Sequence, residues 1–379
     1  MTIRVVRKSA LQRAALLAAL ALGCLALLIW PQGAATGVSR GLAVCGGVII
    51  PSLFPFLVLT GLFVRSGLAG RVGRRLDGVT RRLFGLPGCC GAAVLVGAVG
   101  GYPAGTVATR ELLLRGEINE AQAKRLLRFC VNAGPAFLIG TVGAGMLGSA
   151  WKGLLLYIAN VLASFILGLF GRRSVPTETT CRLPIRPRNG AMKIVVESVE
   201  SACASLLSMC GFVVLFAAFL TLSEVSGLTA FLMHVLAFPF TLTALDPQPL
   251  ACLYTAFWEV SNGCMAVAGS GLRGMGLFFL LGVAVGWGGV SVHCQIGGMF
   301  SETKVMTKGY ILARAWHALL GGALSALLIR VVPLPAPTGV SVAAAAVSAV
   351  PVQPVSVSVT ASVALLLMCG ALLFGAATD

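Results

Sequence analysis

Long apolar runs recur along almost the whole chain and constrain its fold more than any other feature. A helix crosses a bilayer with about 20 apolar residues, and 58% of the 379 residues are hydrophobic. That is enough for at most about eleven crossings. Charged residues make up only 11%, against about 25% in soluble domains, which excludes soluble, disordered, collagen-like and coiled-coil proteins. The expected fold class is an all-α polytopic membrane protein.

The net charge of +16 indicates how the chain is oriented. Its 28 Lys and Arg against 12 Asp and Glu are concentrated in the N-terminal tail and in the loops 65–82, 110–128 and 172–193. Cytoplasmic loops carry such a basic excess, so we expect these three loops to share the cytoplasmic face. Topology and contact with anionic lipid explain the charge. No module for binding nucleic acid is recognisable, and no nucleic-acid partner is expected.

Two glycine and proline breaks interrupt the apolar segments of the first half. The stretch 89–109 contains Gly-Gly-Tyr-Pro-Ala-Gly at 100–105, and both of its flanking loops are expected to be cytoplasmic. We therefore predict a re-entrant hairpin there. The next span, 129–148, contains Asn-Ala-Gly-Pro at 132–135. Broken backbone at membrane depth is tolerated only where it is buried in protein or lines a cavity.

An internal repeat follows from landmarks spaced about 160 residues apart. Ser-Gly-Leu begins at Ser66 and again at Ser226. The same offset places the 100–105 break opposite 260–263, and a slightly shorter offset places the 132–135 break opposite 287–290. An odd number of crossings separates the halves, so the second should be inverted, as in many secondary transporters. The second half is predicted to hold a hairpin at 250–270, a broken span at 274–300 and a last span at 311–330.

These landmarks divide the chain into five parts and leave eight or nine crossings plus two re-entrant hairpins. The run 16–29 is predicted to be an uncleaved span, although a signal peptide has the same charge pattern. Whether 361–376 crosses the membrane stays open. The parts are 1–40 (N-terminal span and basic tail), 41–171 (first repeat), 172–193 (cytoplasmic basic linker), 194–332 (second repeat) and 333–379 (linker rich in Pro, Val, Ser and Ala with a C-terminal hydrophobic segment).

Polar residues near the breaks are the candidate substrate-binding residues. An ionisable side chain in an apolar stretch, such as Glu259, by default marks a functional site, although it can also pair with a basic residue or reach a headgroup. Polar side chains after a break either contact a ligand or tie helices together. Helix N-termini after breaks present free N–H groups that favour an anion. The candidates are Gly101, Tyr102, Asn132, Gly134, Glu259, Ser261, Asn262, Ser291, His293 and Gln295.

Other chemistries have no support in the sequence. There is no P-loop, HExxH or GxSxG motif, so neither an enzyme nor an ATP-driven pump is expected. The twelve cysteines include no CxxC pair and are expected to be small core fillers. No cofactor or metal site is predicted. Glu259 and His293 would suit coupling to a proton, while coupling to sodium or no coupling at all stays open, as does the oligomeric state. Four ionisable residues of the second half are expected on the cytoplasmic side: Glu302, Lys304, Lys308 and Arg314.

Several motifs together resemble those of a known family. They are PSLFPFLVLTGLF at 51–63, GGYPAGT at 100–106, NAGPAFLIGTVGAGMLG at 132–148, WEVSNG at 258–263 and GGVSVHCQ at 288–295. Residues 45–330 resemble the sporulation integral membrane protein YlbJ family, also called SpoVV. That family is similar to proteins with the nucleoside recognition or Gate domain, which are related to concentrative nucleoside transporters. Residues 333–379 depart from the family pattern.

The resemblance implies a transporter of a small organic anion, dipicolinate, exported from the mother cell across the outer forespore membrane during sporulation. Dipicolinate is an aromatic dianion, so two helix N-termini would face its carboxylates while Tyr102, Trp258 or Trp287 flanks its ring. Two alternatives stay open. One is a nucleoside or nucleobase as cargo, and the other is a membrane scaffold at the forespore that transports nothing.

Overall fold

The computed structural model describes residues 2–170, 190–241, 248–303, 305 and 308–333, and all regular structure in these ranges is helical. The all-α polytopic fold class predicted from the apolar runs is confirmed. The predicted linker 333–379 and most of the basic linker 172–193 lie outside the described residues.

The first half contains nine α-helices and two short π-helical segments within the described ranges. Helix α2, π1 and α3 run on from one another and form one long helix over residues 31–65. The elements are α1 (Thr2–Ile29), α2 (Pro31–Val44), π1 (Cys45–Ile49), α3 (Ile50–Arg65), α4 (Leu68–Arg75), α5 (Asp77–Phe84), α6 (Gly88–Gly100), α7 (Tyr102–Leu114), α8 (Glu120–Cys130), π2 (Ala136–Met146) and α9 (Ala150–Leu169).

The described part of the second half repeats this order. A 35-residue helix comes first, then one short helix, then two pairs of short helices, each pair separated by a break, and then a long final helix. The elements are α10 (Ala191–Val225), α11 (Leu228–Thr241), α12 (Gln248–Trp258), α13 (Val260–Ala268), α14 (Gly274–Trp287), α15 (Gly289–Met299) and α16 (Lys308–Val331). The Ser-Gly landmarks end α3 and α10 alike, and Gly67 and Gly227 both have φ of 77°.

Each long helix packs against its counterpart in the other half. The helix 31–65 lies along α10, and α9 lies along α16. The first pair is antiparallel, because Arg40 is 3.9 Å from Glu224 while Arg65 is 3.7 Å from Glu197. A twofold axis in the membrane plane produces such antiparallel pairing of equivalent helices. The arrangement therefore agrees with the predicted inversion of the repeat.

Two of the predicted interruptions are hairpins. A Cβ added to Gly97 would lie 3.2 Å from the Cα of Gly105, whereas residues eight apart in an unbroken helix are about 12 Å apart. Likewise, a Cβ on Gly263 would lie 2.9 Å from the backbone nitrogen of Ala256. The chain therefore reverses between α6 and α7 and between α12 and α13, as predicted for 89–109 and 250–270.

Helices with the length and apolarity of a crossing are fewer in the described ranges than the eight or nine crossings predicted for the whole chain. Within the described residues four helices are long and apolar enough to cross a membrane, or up to six if two bent pairs count as spans. The first bent pair joins α1 to α2 with a bend of 99°. The predicted eight or nine crossings stay a prediction. The candidate span 361–376 lies outside the described residues.

Glycines let the long helices approach closely. Gly33, Gly37 and Gly41 recur every four residues on α2 and face α10, where a Cβ on Gly41 would lie 2.7 Å from the Cα of Val214. Small residues at this spacing drive helix association in membranes, because lipid supplies no hydrophobic force between helices.

We expect Gly41→Ala to destabilise the fold by about 2 kcal/mol, because the new methyl group meets the backbone of α10. The matched control is Gly211→Ala, since a Cβ there has no neighbour within 4 Å. Midpoints of thermal unfolding in detergent compare the two variants with the parent. A Gly41→Ala variant as stable as the parent would contradict the close packing of α2 on α10.

Candidate functional site

The helix breaks of each half contact one another. A Cβ on Gly134, in the break between α8 and π2, would lie 3.1 Å from the backbone nitrogen of Gly101 at the tip of the first hairpin. A Cβ on Gly289, after the break between α14 and α15, would lie 3.0 Å from the Cα of Glu259 at the tip of the second. Gly101 and Gly289 also have φ of 85° and 80°, which disfavours any side chain there. Each hairpin tip therefore packs against the break of a second interrupted helix.

Tyr102 joins the two halves at this junction. It is buried at the start of α7, and its hydroxyl donates a hydrogen bond of 2.7 Å to the carbonyl oxygen of Val285. Val285 lies in the last turn of α14, where carbonyls lack the amide partners that a continuing helix would supply. Tyr102 therefore satisfies a backbone group exposed by the break at Gly288 and fixes the first hairpin to the second half.

Arg314 is a fully buried cation that joins two interrupted helices. It lies on α16 with 0% of its surface exposed. Its guanidinium donates to the carbonyl oxygen of Val131 at 2.6 Å and to that of Gly286. Val131 ends α8 and Gly286 lies in the last turn of α14, so one cation faces two helix C-termini, where the helix dipole favours positive charge. Arg314, expected at a loop on the cytoplasmic side, is instead enclosed among helix ends.

The signal that identifies Arg314 was present in the sequence. The residue stands in the apolar run Ile-Leu-Ala-Arg-Ala-Trp at 311–316, and an ionisable side chain in such a run marks a buried or functional position. The same rule selected Glu259. Positive charge at a span end is also expected near a cytoplasmic loop, and that second rule did not indicate that Arg314 is buried.

Glu259 supplies the opposite charge at the second hairpin. Its side chain is 1% exposed and caps α13. One carboxylate oxygen accepts from the amide of Ser261 at 2.9 Å, and the other accepts from the amide of Asn262 at 2.7 Å. The helix N-terminus that was predicted to bind a substrate carboxylate therefore holds a carboxylate of the protein itself. At α7 and α15 the capping residues are Gly101 and Gly288, which offer no side-chain cap.

A small cavity of about 50 Å³ lies at this junction. Its apolar wall comes from the long helices, through Leu53 and Leu57 of α3 and Met209 and Val213 of α10. It is far smaller than the roughly 300–1,000 Å³ of typical ligand sites. Seven of the ten candidate residues line it: Gly101, Tyr102, Gly134, Glu259, Ser261, Ser291 and Gln295.

The other three candidates lie beside the cavity. Asn132 donates to Ser164 on α9 at 3.1 Å, which ties the first broken helix to α9. The ring of His293 lies 3.2 Å from the Tyr310 hydroxyl on α16. Asn262 contributes its backbone amide to the cap at Glu259. For these residues the structure offers contacts within the protein, and ligand contact stays a prediction for all ten.

Of the three aromatic residues expected to flank a ring, only Tyr102 lines the cavity. Trp258 packs against Phe219, with ring centroids 4.8 Å apart. Trp287 stacks on Phe257 at 5.6 Å and donates to its carbonyl oxygen. Both tryptophans therefore contribute to helix packing outside the cavity. Within the described residues no group of three His, Cys, Asp or Glu side chains is placed to hold a metal ion.

Fold and site together define an all-α integral membrane protein whose interrupted helices meet around one internal cavity. The chain is 29% identical over 327 residues to sporulation integral membrane protein YlbJ of Bacillus subtilis strain 168, a match that covers 80% of this chain and 79% of that protein. This match confirms the resemblance to the YlbJ family. No family model matches the chain. No solved structure matches it either.

We expect Arg314→Met to destabilise the protein by about 3 kcal/mol, because two buried carbonyl groups lose a charged donor. The control is Arg330→Met on the same helix, where the side chain is exposed. Thermal unfolding in detergent measures both variants. Equal midpoints for Arg314→Met and the parent would contradict the role of Arg314 in holding α8 and α14.

We expect Glu259→Ala to destabilise the protein by about 1–2 kcal/mol, because α13 loses its N-terminal cap. Glu259→Gln keeps one oxygen acceptor and should lose less than Glu259→Ala. Chemical denaturation of the purified protein gives the order of the three stabilities. A Glu259→Gln variant less stable than Glu259→Ala would show that the side chain does not act through capping.

Proposed function

We propose that this chain acts in sporulation as a secondary transporter of a small organic anion. The proposed anion is dipicolinate, moved from the mother cell across the outer forespore membrane. The identity of the B. subtilis relative as a sporulation integral membrane protein supports the sporulation role. The cargo and the membrane rest on the family resemblance described above. Coupling of transport to a proton or sodium ion stays a prediction.

The meeting of four helix breaks at one cavity is the observation that carries the proposal. In many secondary transporters the substrate lies near the bilayer midplane, between discontinuous helices of two inverted repeats. Here Gly101, Gly134, Glu259 and Gly289 mark those breaks, and the first three line the cavity. Breaks of this kind expose backbone polar groups where lipid cannot satisfy them. A scaffold without a transport cycle gains nothing from them.

An anionic cargo has two favourable positions in this cavity. The N-termini of α7 and α15 lack a side-chain cap and are suited to carboxylate groups. Tyr102 offers an aromatic face beside them. A cavity of about 50 Å³ has room for one or two water molecules only, so binding of dipicolinate requires the long helices to move away from the breaks.

A nucleoside is the second candidate cargo, and Glu259 favours it. A buried carboxylate accepts hydrogen bonds from hydroxyl groups and repels another carboxylate. The Gate-domain relationship inferred from the sequence points the same way. A transported nucleoside would use Glu259, whereas transported dipicolinate would use the uncapped helices α7 and α15.

Transport by the purified protein in liposomes separates these candidates. We expect uptake of radiolabelled dipicolinate that excess unlabelled dipicolinate inhibits and excess uridine does not. Gln295→Ala should lower this uptake about tenfold, an effect equivalent to the loss of about 1.4 kcal/mol of substrate binding. The matched control is Cys294→Ser, because Cys294 is exposed and neighbours Gln295 on α15. Uptake of uridine alone would favour the nucleoside, and uptake of neither would favour the scaffold.

The cellular measurement addresses the sporulation role directly. A strain that lacks the protein should synthesise dipicolinate in the mother cell and fail to load it into spores. Normal dipicolinate content in spores of that strain would contradict the proposal. Complementation with the Cys294→Ser variant, and not with an empty vector, should restore loading.

A further inference from the structure

A second cavity lies between α3, α7 and α10, outside the junction of the breaks. It encloses about 60 Å³. Apolar side chains form much of its wall, but five polar side chains also line it: Thr60, Arg65, Glu111, Ser201 and Ser205. The second cavity is therefore more polar than a crevice that only accommodates lipid chains.

The outer end of this cavity lies at ends of α3, α7 and α10, which adjoin the three basic loops in sequence. Arg65 is the last residue of α3 and begins the loop 65–82. Glu111 lies in the last turn of α7, within the basic stretch 110–128. Ser201 lies in the first third of α10, the helix that comes after the basic stretch 172–193 in sequence. Arg65 and Glu197 approach to 3.7 Å, which holds the end of α3 beside the start of α10. These three loops carry the basic excess that marks a cytoplasmic face.

The inner end reaches the central cavity. Leu57 and Pro103 line both cavities. Leu57 is 8% exposed on α3, and Pro103 is the second residue of α7, directly after the break. These two apolar residues alone are shared between the lining of the polar second cavity and that of the central cavity.

A buried polar group on α3, close to Leu57, has no hydrogen-bond partner among the described residues. The hydroxyl oxygen of Thr60 is buried and makes no hydrogen bond to any described residue. Thr60 is 8% exposed and lies one turn from Leu57 on α3. Leaving such a group unsatisfied costs about 1–3 kcal/mol, so the site suits a water molecule or a polar solute.

We propose that the second cavity is the cytoplasmic entrance of the transport path and that Leu57 and Pro103, which line both cavities, form its gate. A small anion enters beside Arg65, passes the hydroxyl groups of Thr60 and Ser205, and reaches the breaks when α3 and α7 separate at the gate. The identity of the solute rests on the proposed function. The position of the entrance rests on the two cavities, the shared residues and the charge of the loops.

Cysteine accessibility tests the entrance without any substrate. The parent variant keeps the six described cysteines that are buried and replaces the other six, Cys24, Cys181, Cys203, Cys210, Cys294 and Cys369, by serine. Single cysteines are then introduced as Ser205→Cys in the second cavity and Ser291→Cys in the central cavity. Ala204→Cys is the matched control, because its side chain is exposed on the outer face of α10. The probe is an anionic, membrane-impermeant methanethiosulfonate applied to either face of membrane vesicles.

From the cytoplasmic face, Ser205→Cys should react about tenfold faster than Ala204→Cys, because a thiol needs water to ionise and lipid provides none. Ser291→Cys should react slowly in the parent. Its reaction should become about tenfold faster when Leu57→Ala is added, because the side chain at the gate is then smaller and the probe passes more easily to the thiol. Reaction of Ser205→Cys only from the opposite face, or no faster than the control, would overturn the entrance. An unchanged rate at Ser291→Cys after Leu57→Ala would overturn the gate.

The two proposals fail separately. If the cysteines are labelled as expected but neither dipicolinate nor uridine is transported, the proposed function is contradicted. The second cavity would then still be a water-filled opening to the cytoplasmic face. Transport with Ser205→Cys unreactive from the cytoplasmic face would contradict the entrance alone. The comparison of Ser205→Cys with Ala204→Cys requires no change at the gate, so it stands even if Leu57→Ala fails to fold.

Discussion

Backbone groups that a helix break exposes inside a membrane must find partners within the protein, and the rest of this structure depends on that constraint. The chain interrupts its helices near Gly101, Gly134, Glu259 and Gly288. In water, solvent would satisfy the freed amide and carbonyl groups. In hydrocarbon each break needs side chains or another break beside it, and this requirement explains why the interruptions converge on one place.

Two buried charges satisfy opposite helix ends at this junction. Arg314 faces the carbonyl ends of α8 and α14, while Glu259 faces the amide end of α13. Each charge has the sign that the helix dipole favours at that end. The hydrogen bonds of both side chains go to backbone groups rather than from one charge to the other. The N-termini of α7 and α15 have no side-chain cap.

Much of the architecture was predictable because membrane topology depends on local patterns. Apolar runs identified the membrane segments, and basic loops indicated the hairpin at 89–109, which Gly97 and Gly105 confirm by their close approach. The offset of 160 residues placed corresponding Ser-Gly ends at Gly67 and Gly227, which share one backbone conformation. The number of crossings is harder to predict, because apolar composition does not distinguish a half-helix inside the protein from a helix that spans the bilayer.

The sequence by itself determined the fold class, the breaks and the residue types around them, since hydropathy, charge and glycine content act over short distances along the chain. It did not determine which partner each polar residue meets. Only the tertiary structure placed Arg314 in the core and directed His293 toward Tyr310. Those contacts join segments as much as 183 residues apart, and such pairings arise from the packing of whole helices rather than from any local pattern.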